Sequence, residues 1–191
     1  MKKSILMIAA AGVAACALSA CGGETTGYDQ LNSMLAENYS QIALTVTDTF
    51  DEDLSLKSEY VFKYSESEIK VEYSVERFAD ISLDNTSNGL TVTATGTAVI
   101  KDGEVKGGKD AGITADMANL KFNFKEQYFE NATLTGVYFK ADVKNVGSFL
   151  GLALGCTDMK VYAEFLDVFY SIDISYTLDG NKVECNYVFT V

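Results

Sequence analysis

The sequence predicts a mainly antiparallel β domain of the α+β class, and three observations lead to that prediction. Apolar and polar residues alternate with a period of two along most of the chain after Gln41. Short turn sequences such as Asp102-Gly103 and Asp179-Gly180 separate the alternating stretches. Proline, which would interrupt long strands, is absent. We expect about eight to ten strands in one large curved sheet or half-barrel, apolar on one face and polar on the other.

Two helices are expected beside this sheet. The apolar residues Tyr28, Leu31 and Leu35 are three and four positions apart, which predicts an N-terminal amphipathic helix of about 12 residues. A short apolar helix is expected within 146–155, before the last strands. That segment is too short to span a bilayer. It is interpreted either as a helix packed on the sheet or as a lid that dips into a membrane.

The strand pattern is clearest in the last third of the chain. Phe122 and Phe124 belong to one alternating stretch, and 134–143 reads as a further strand with a bulge at Gly136. The final hairpin turns at Asp179-Gly180, and a two-residue loop fixes its register. The expected cross-strand pairs are 176 with 183, 174 with 185, 172 with 187 and 170 with 189.

Composition excludes several kinds of chemistry. The 191 residues carry a formal net charge of −12 and contain no His, so imidazole catalysis and imidazole metal ligands are excluded. Arg77 is the only arginine, and an acidic chain of this kind is not expected to bind nucleic acid. The acidic residues near Asp48 lack the spacing of a calcium loop. We therefore expect no catalytic residues, no cofactor and no metal site.

The N-terminus predicts export and lipid attachment. Lys2 and Lys3 precede a short apolar run, as in a secretory signal. The run ends in Leu18-Ser19-Ala20-Cys21, which resembles the lipobox of bacterial lipoproteins. The resemblance implies cleavage before Cys21, a diacylglycerol thioether on that residue, and anchoring at the extracytoplasmic face of a bacterial membrane. The predicted organisation is a signal peptide over 1–20, a lipidated tether over 21–27 and one β-rich domain over 28–191.

Cysteine usage agrees with export. Cys16 would leave with the signal peptide and Cys21 would carry lipid, which leaves Cys156 and Cys185. Outside the cytoplasm such a pair can form a disulfide. The alternative is two buried free thiols, because sequence alone does not show whether the two Cα atoms come within bridging distance.

The 11 Tyr and 11 Phe residues leave two functional hypotheses open. An aromatic face could pack a solid core, or it could line a cavity in which tyrosine hydroxyls meet a ligand's polar end. A helix followed by a long antiparallel meander resembles the half-barrel of LolA-like lipid-carrying lipoproteins, which implies a carrier for a lipid or another apolar ligand. The other hypothesis is a non-catalytic interaction or structural module with an envelope protein as its partner. The candidate ligand-binding residues lie on the last hairpin: Tyr170, Ile172, Ile174, Tyr176, Tyr187 and Phe189.

Overall fold

A computed structural model describes residues 27–36, 39–51, 54–78, 91–118, 121–151, 154–166 and 169–190. These residues form ten strands and three short helices, together with single 3-10 turns at Lys109–Ala111 and Glu126–Tyr128. The strands are β1 (Gln41–Asp51), β2 (Leu54–Tyr64), β3 (Ile69–Phe78), β4 (Thr91–Lys101), β5 (Glu104–Gly107), β6 (Phe129–Thr135), β7 (Tyr138–Val143), β8 (Thr157–Leu166), β9 (Phe169–Leu178) and β10 (Asn181–Thr190). The helices are α1 (Gly27–Leu35), α2 (Ala115–Ala118) and α3 (Val146–Leu150).

All ten strands belong to one open antiparallel sheet, in the order β5-β4-β3-β2-β1-β10-β9-β8-β7-β6. Strands β1 to β5 form one meander and β6 to β10 form a second. The first and last strands join the two meanders, because β1 pairs with β10 from Gln41↔Thr190 to Thr49↔Lys182. The predicted fold class is therefore confirmed: a mainly antiparallel sheet of ten strands, with a helix before the first strand and a short helix before the last three.

The final hairpin has the register that the sequence predicts. Tyr176 pairs with Val183 and Ile174 with Cys185. Further from the turn, Tyr170 pairs with Phe189. A slip of one residue would turn all of these side chains to the polar face, so hydrophobic burial selects this pairing.

The apolar face of the sheet, here called the core face, is covered by the chain's own connecting segments. Leu31 of α1 is buried against it, as is Ala118 of α2. Phe149 and Leu150 of α3 are buried in the same cluster. Helix α3 is therefore a core helix and not an exposed lid. Among the described residues, no helix is long and apolar enough to cross a bilayer.

Two predicted local structures differ from those observed. Residues 121–125 form no strand and do not join the sheet; Phe122 and Phe124 pack in the core cluster, and the Asn123 N–H donates to the Phe149 carbonyl at 2.8 Å. Alternation predicts an extended backbone but does not identify its hydrogen-bond partner. Gly136 lies in the turn between β6 and β7 and not in a bulge within one strand. Its φ of 59° is the left-handed conformation that glycine adopts without steric cost.

Candidate functional site

The six residues predicted to bind an apolar ligand all lie on β9 and β10, and they face a filled space. Tyr170, Ile172, Ile174 and Phe189 are only 0–5% exposed, whereas a ligand-sized cavity beside them would leave their side chains accessible. The remaining two, Tyr176 and Tyr187, are half-buried and pack against the same cluster. The hairpin residues are therefore brought together as predicted, but as parts of a packed core.

Aromatic rings from the covering segments occupy the position that a ligand would take. Phe122 lies with its ring centroid 5.2 Å from Tyr187 and 6.1 Å from Phe189. Tyr39, just before β1, lies 4.9 Å from Phe189 and 6.2 Å from Tyr170. Most of these pairs are edge-to-face or tilted, which are favoured ring arrangements. The chain itself therefore supplies the apolar occupant of this face.

Tyrosine hydroxyls on the core face bond to the covering segments. The Tyr60 hydroxyl donates to the Ala111 carbonyl at 3.1 Å, and the Tyr64 hydroxyl donates to the Ala118 carbonyl at 2.9 Å. Burial raises the pKa of Tyr64 to about 12, so this hydroxyl keeps its proton and remains a donor. These hydroxyls therefore satisfy backbone carbonyls, where a carrier would use them to hold a ligand.

An asparagine side chain holds the segment 121–125 in place. The Asn32 amide nitrogen donates to the Phe124 carbonyl at 2.7 Å, and the Phe124 N–H donates to the Asn32 amide oxygen at 2.8 Å. The Asn32 side-chain amide thus bonds to the Phe124 backbone in the way that a neighbouring strand would. Both backbone polar groups of Phe124 would otherwise be buried without a partner, which is costly.

Asp48, Tyr176 and Cys185 lie on the core face, toward the Asp179-Gly180 end of the sheet. Burial raises the pKa of the Asp48 carboxyl, and its Oδ1 atom is buried without a hydrogen-bond partner among the described groups. Burial also raises the pKa of the Cys185 thiol to about 11, and a hydrogen bond from Tyr176 offsets this only in part. A thiol with this pKa stays protonated near neutral pH and is a poor nucleophile.

The predicted disulfide is not formed in this structure, where Cys156 and Cys185 are both free thiols. Cys156 directly precedes Thr157, which pairs with Thr177 of β9, whereas Cys185 pairs with Ile174 on the opposite edge of β9. The intervening strand alone separates the two Cα atoms by about two strand spacings, roughly 9–10 Å, and their offset along β9 from Thr177 to Ile174 adds to that distance. A disulfide needs Cα atoms within about 7 Å. The alternative interpretation, two partly or fully buried thiols, describes the structure.

The opposite face of the sheet carries an open groove of about 430 Å³ across β1, β10, β9, β8 and β7. Register places polar side chains in rows across these strands. One row runs from Thr45 through Asn186 and Asp173 to Tyr162 and Lys140. The second row consists of Thr47, Glu184, Ser175 and Lys160.

Although its lining residues are mostly polar in type, most of the surface accessible in the groove is carbon. Its lining includes two lysines and two carboxylates, Lys140 and Lys160 with Asp173 and Glu184, so the opposite charges balance. Within it, the Asn186 amide nitrogen donates to Asp173 Oδ1 at 2.6 Å. The sequence shows these residues only as the polar alternates of separate strands. Their assembly depends on the pairing of β1 with β10, which no local pattern predicts.

Two sequence expectations remain, one about lipid attachment and one about metal ligands. Cys21, the predicted lipidation site, lies outside the described residues, and lipid attachment remains a prediction. Among the described residues, no three His, Cys, Asp or Glu side chains come together in an arrangement that could hold a metal ion.

Comparisons with known proteins assign no family to this chain. No protein-family model matches it, and no curated protein is similar to it in sequence.

Proposed function

We propose that this chain is a lipid-anchored, non-catalytic interaction or structural module on the extracytoplasmic side of a bacterial membrane. The anchor is proposed from Leu18-Ser19-Ala20-Cys21 after an apolar run. Two acyl chains on Cys21 would hold the protein stably where one would not. The domain that follows is proposed to act through its surface.

The observation that carries the proposal is the occupation of the core face by the chain itself. The Phe122 ring packs on Tyr187, and the Tyr60 and Tyr64 hydroxyls bond to covering backbone. A carrier would need to move these contacts apart before an apolar ligand could reach the sheet. This packing favours the interaction module over the lipid-carrier hypothesis.

The groove on the polar face is proposed as the contact surface. Apolar carbon makes up most of its accessible surface, with two lysines and two carboxylates around it, and such a mixture of apolar area and charge is what protein interfaces present. The proposed partner is accordingly another envelope protein, one whose surface presents both apolar and charged side chains.

Site-specific photo-crosslinking in intact cells tests this assignment. A photoreactive amino acid at Glu184, exposed in the groove, is compared with the same amino acid at Thr95. Thr95 is the matched control because it is exposed on β4, in the other half of the sheet and outside the groove. We expect a discrete protein adduct from position 184 and none from position 95. Equal crosslinking from both positions would contradict the groove as the contact surface.

Two measurements test the remaining parts of the proposal. A Cys21→Ser variant should accumulate unprocessed or leave the membrane fraction; normal cleavage and membrane retention would contradict the anchor. Native mass spectrometry of the detergent-free domain starting at Gly22 should show the bare polypeptide mass. A stoichiometric co-purifying lipid would instead support the carrier.

A further inference from the structure

Large hydrophobic side chains that are exposed on the described surface fall into two groups, one at one end of the strands and one that reaches from the other end toward the middle of β8. The first lies where β1 and β3 end and β4 begins, and in the second Leu134 and Tyr138 flank the turn between β6 and β7 while Tyr162, midway along β8, stacks on Tyr138. Strands of this length span roughly 30 Å, which is about the separation of the two ends. The members are Phe50, Phe78 and Val92 in the first group, and Leu134, Tyr138 and Tyr162 in the second, here called the 134/138/162 cluster.

The N-terminal part of the chain reaches the domain beside the second cluster. Gly27, the first residue of α1, packs closely on Leu134. A Cβ atom on residue 27 would overlap the Leu134 side chain. Six peptide steps separate Gly27 from Cys21. Fully extended, they reach about 20 Å. A lipid on Cys21 would therefore hold the Leu134 end of the sheet within that distance of the bilayer, whereas the tether sets no such limit on the Phe50 end.

The chemistry of this cluster suits the boundary between acyl chains and water. Tyr138 and Tyr162 stack with ring centroids 6.1 Å apart, yet Tyr138 remains 46% exposed. Tyrosine is enriched at membrane interfaces because its ring is apolar and its hydroxyl is polar. Their cross-strand partners carry opposite charges, Glu164 beside Tyr138 and Lys140 beside Tyr162. Because these two charges cancel, the surface has no net electrostatic attraction to anionic lipid.

We infer that the 134/138/162 cluster is a membrane-contact surface, seated in the headgroup layer of the bilayer that holds the lipid anchor. The inference rests on the proposed anchoring at Cys21 and adds an orientation to it. The turn between β6 and β7 faces the membrane, and the ends of β1 and β3 point away from it. The acyl chains supply the affinity, and Leu134, Tyr138 and Tyr162 set the orientation.

The absence of tryptophan from the sequence allows a direct test by fluorescence. The full lipidated chain is prepared as Tyr138→Trp and, as a control, as Phe78→Trp; the replaced residues are 46% and 42% exposed. Each variant is reconstituted into dioleoylphosphatidylcholine vesicles, with and without a phosphatidylcholine brominated near the headgroup end of its acyl chains. Bromine quenches tryptophan only at short range. Thermal melting of both variants checks that the fold is retained.

We expect the emission of Tyr138→Trp to shift to the blue in vesicles and to fall when brominated lipid is present. The emission of Phe78→Trp should remain unchanged. A Tyr162→Trp variant, whose position midway along β8 also lines the groove, should be quenched less than Tyr138→Trp. Vesicle-bound protein with no quenching at position 138, or equal quenching at 138 and 78, would overturn the orientation and leave the anchor intact. Protein that lacks lipid on Cys21 by mass and does not bind vesicles would overturn the anchor and, with it, the orientation.

Discussion

Phe124→Ala is the substitution that most directly tests whether the segment 121–125 belongs to the core. Phe124 is fully buried, and its ring centroid lies between 5.1 and 6.4 Å from the rings of four other phenylalanines. Truncating such a side chain removes its transfer free energy and leaves a cavity, at a cost of about 3–5 kcal/mol. A domain of this size loses about 2–4 °C per kcal/mol, so the melting temperature should fall by roughly 6–20 °C.

The assay is urea and thermal unfolding of the soluble domain starting at Gly22, followed by circular dichroism. Phe50→Ala is the matched control, because Phe50 is exposed and packs on Phe78 at the surface. That variant should lose less than about 1.5 kcal/mol. A loss below about 1 kcal/mol for Phe124→Ala would refute the reasoning, because typical core truncations cost more. The segment 121–125 would then be a loosely held cover, as the carrier hypothesis requires.

Three further predictions concern polar side chains in or beside the core. Asn32→Asp removes the donor to the Phe124 carbonyl, so we expect a loss of about 1–3 kcal/mol at pH 7. That loss should shrink in acid as the carboxyl regains its proton, and a pH-independent difference in urea midpoint would contradict this. Burial raises the pKa of Asp48, so the folded state favours its protonated form and the ionised form costs stability above that pKa. Asp48→Asn should therefore be more stable at pH 7, by less than about 1 kcal/mol because the side chain is partly exposed to solvent, with the gain lost in acid; equal midpoints at pH 7 would argue against it. Without reductant, both Cys156 and Cys185 should react with an alkylating reagent in the unfolded domain, and Cys185 should react slowly in the native one because burial raises its pKa to about 11. An intact mass that shows no alkylation after unfolding would instead indicate that Cys156 and Cys185 form a disulfide.

Strand positions and the final hairpin could be predicted from the sequence because local signals determine them. The Asp179-Gly180 turn limits the loop to two residues, and alternation then permits only one pairing that keeps Ile174 and Cys185 on the same apolar face. The same reasoning predicted the α1 helix, although it ends at Leu35 and is shorter than the predicted length. Periodicity and turn chemistry act over a few residues, so a single sequence displays them.

The sequence alone therefore determined the fold class, the final register and the expectation of an exported, lipid-bearing N-terminus. Tertiary structure decided which segments cover the sheet and which residues meet. The Asn32 side chain bonds to Phe124, 92 positions away, and β9 lies between Cys156 and Cys185. The groove likewise forms only because β1 pairs with β10. Such contacts join residues distant in the sequence. Their existence depends on how the whole chain buries its apolar surface, and local composition carries no signal of it.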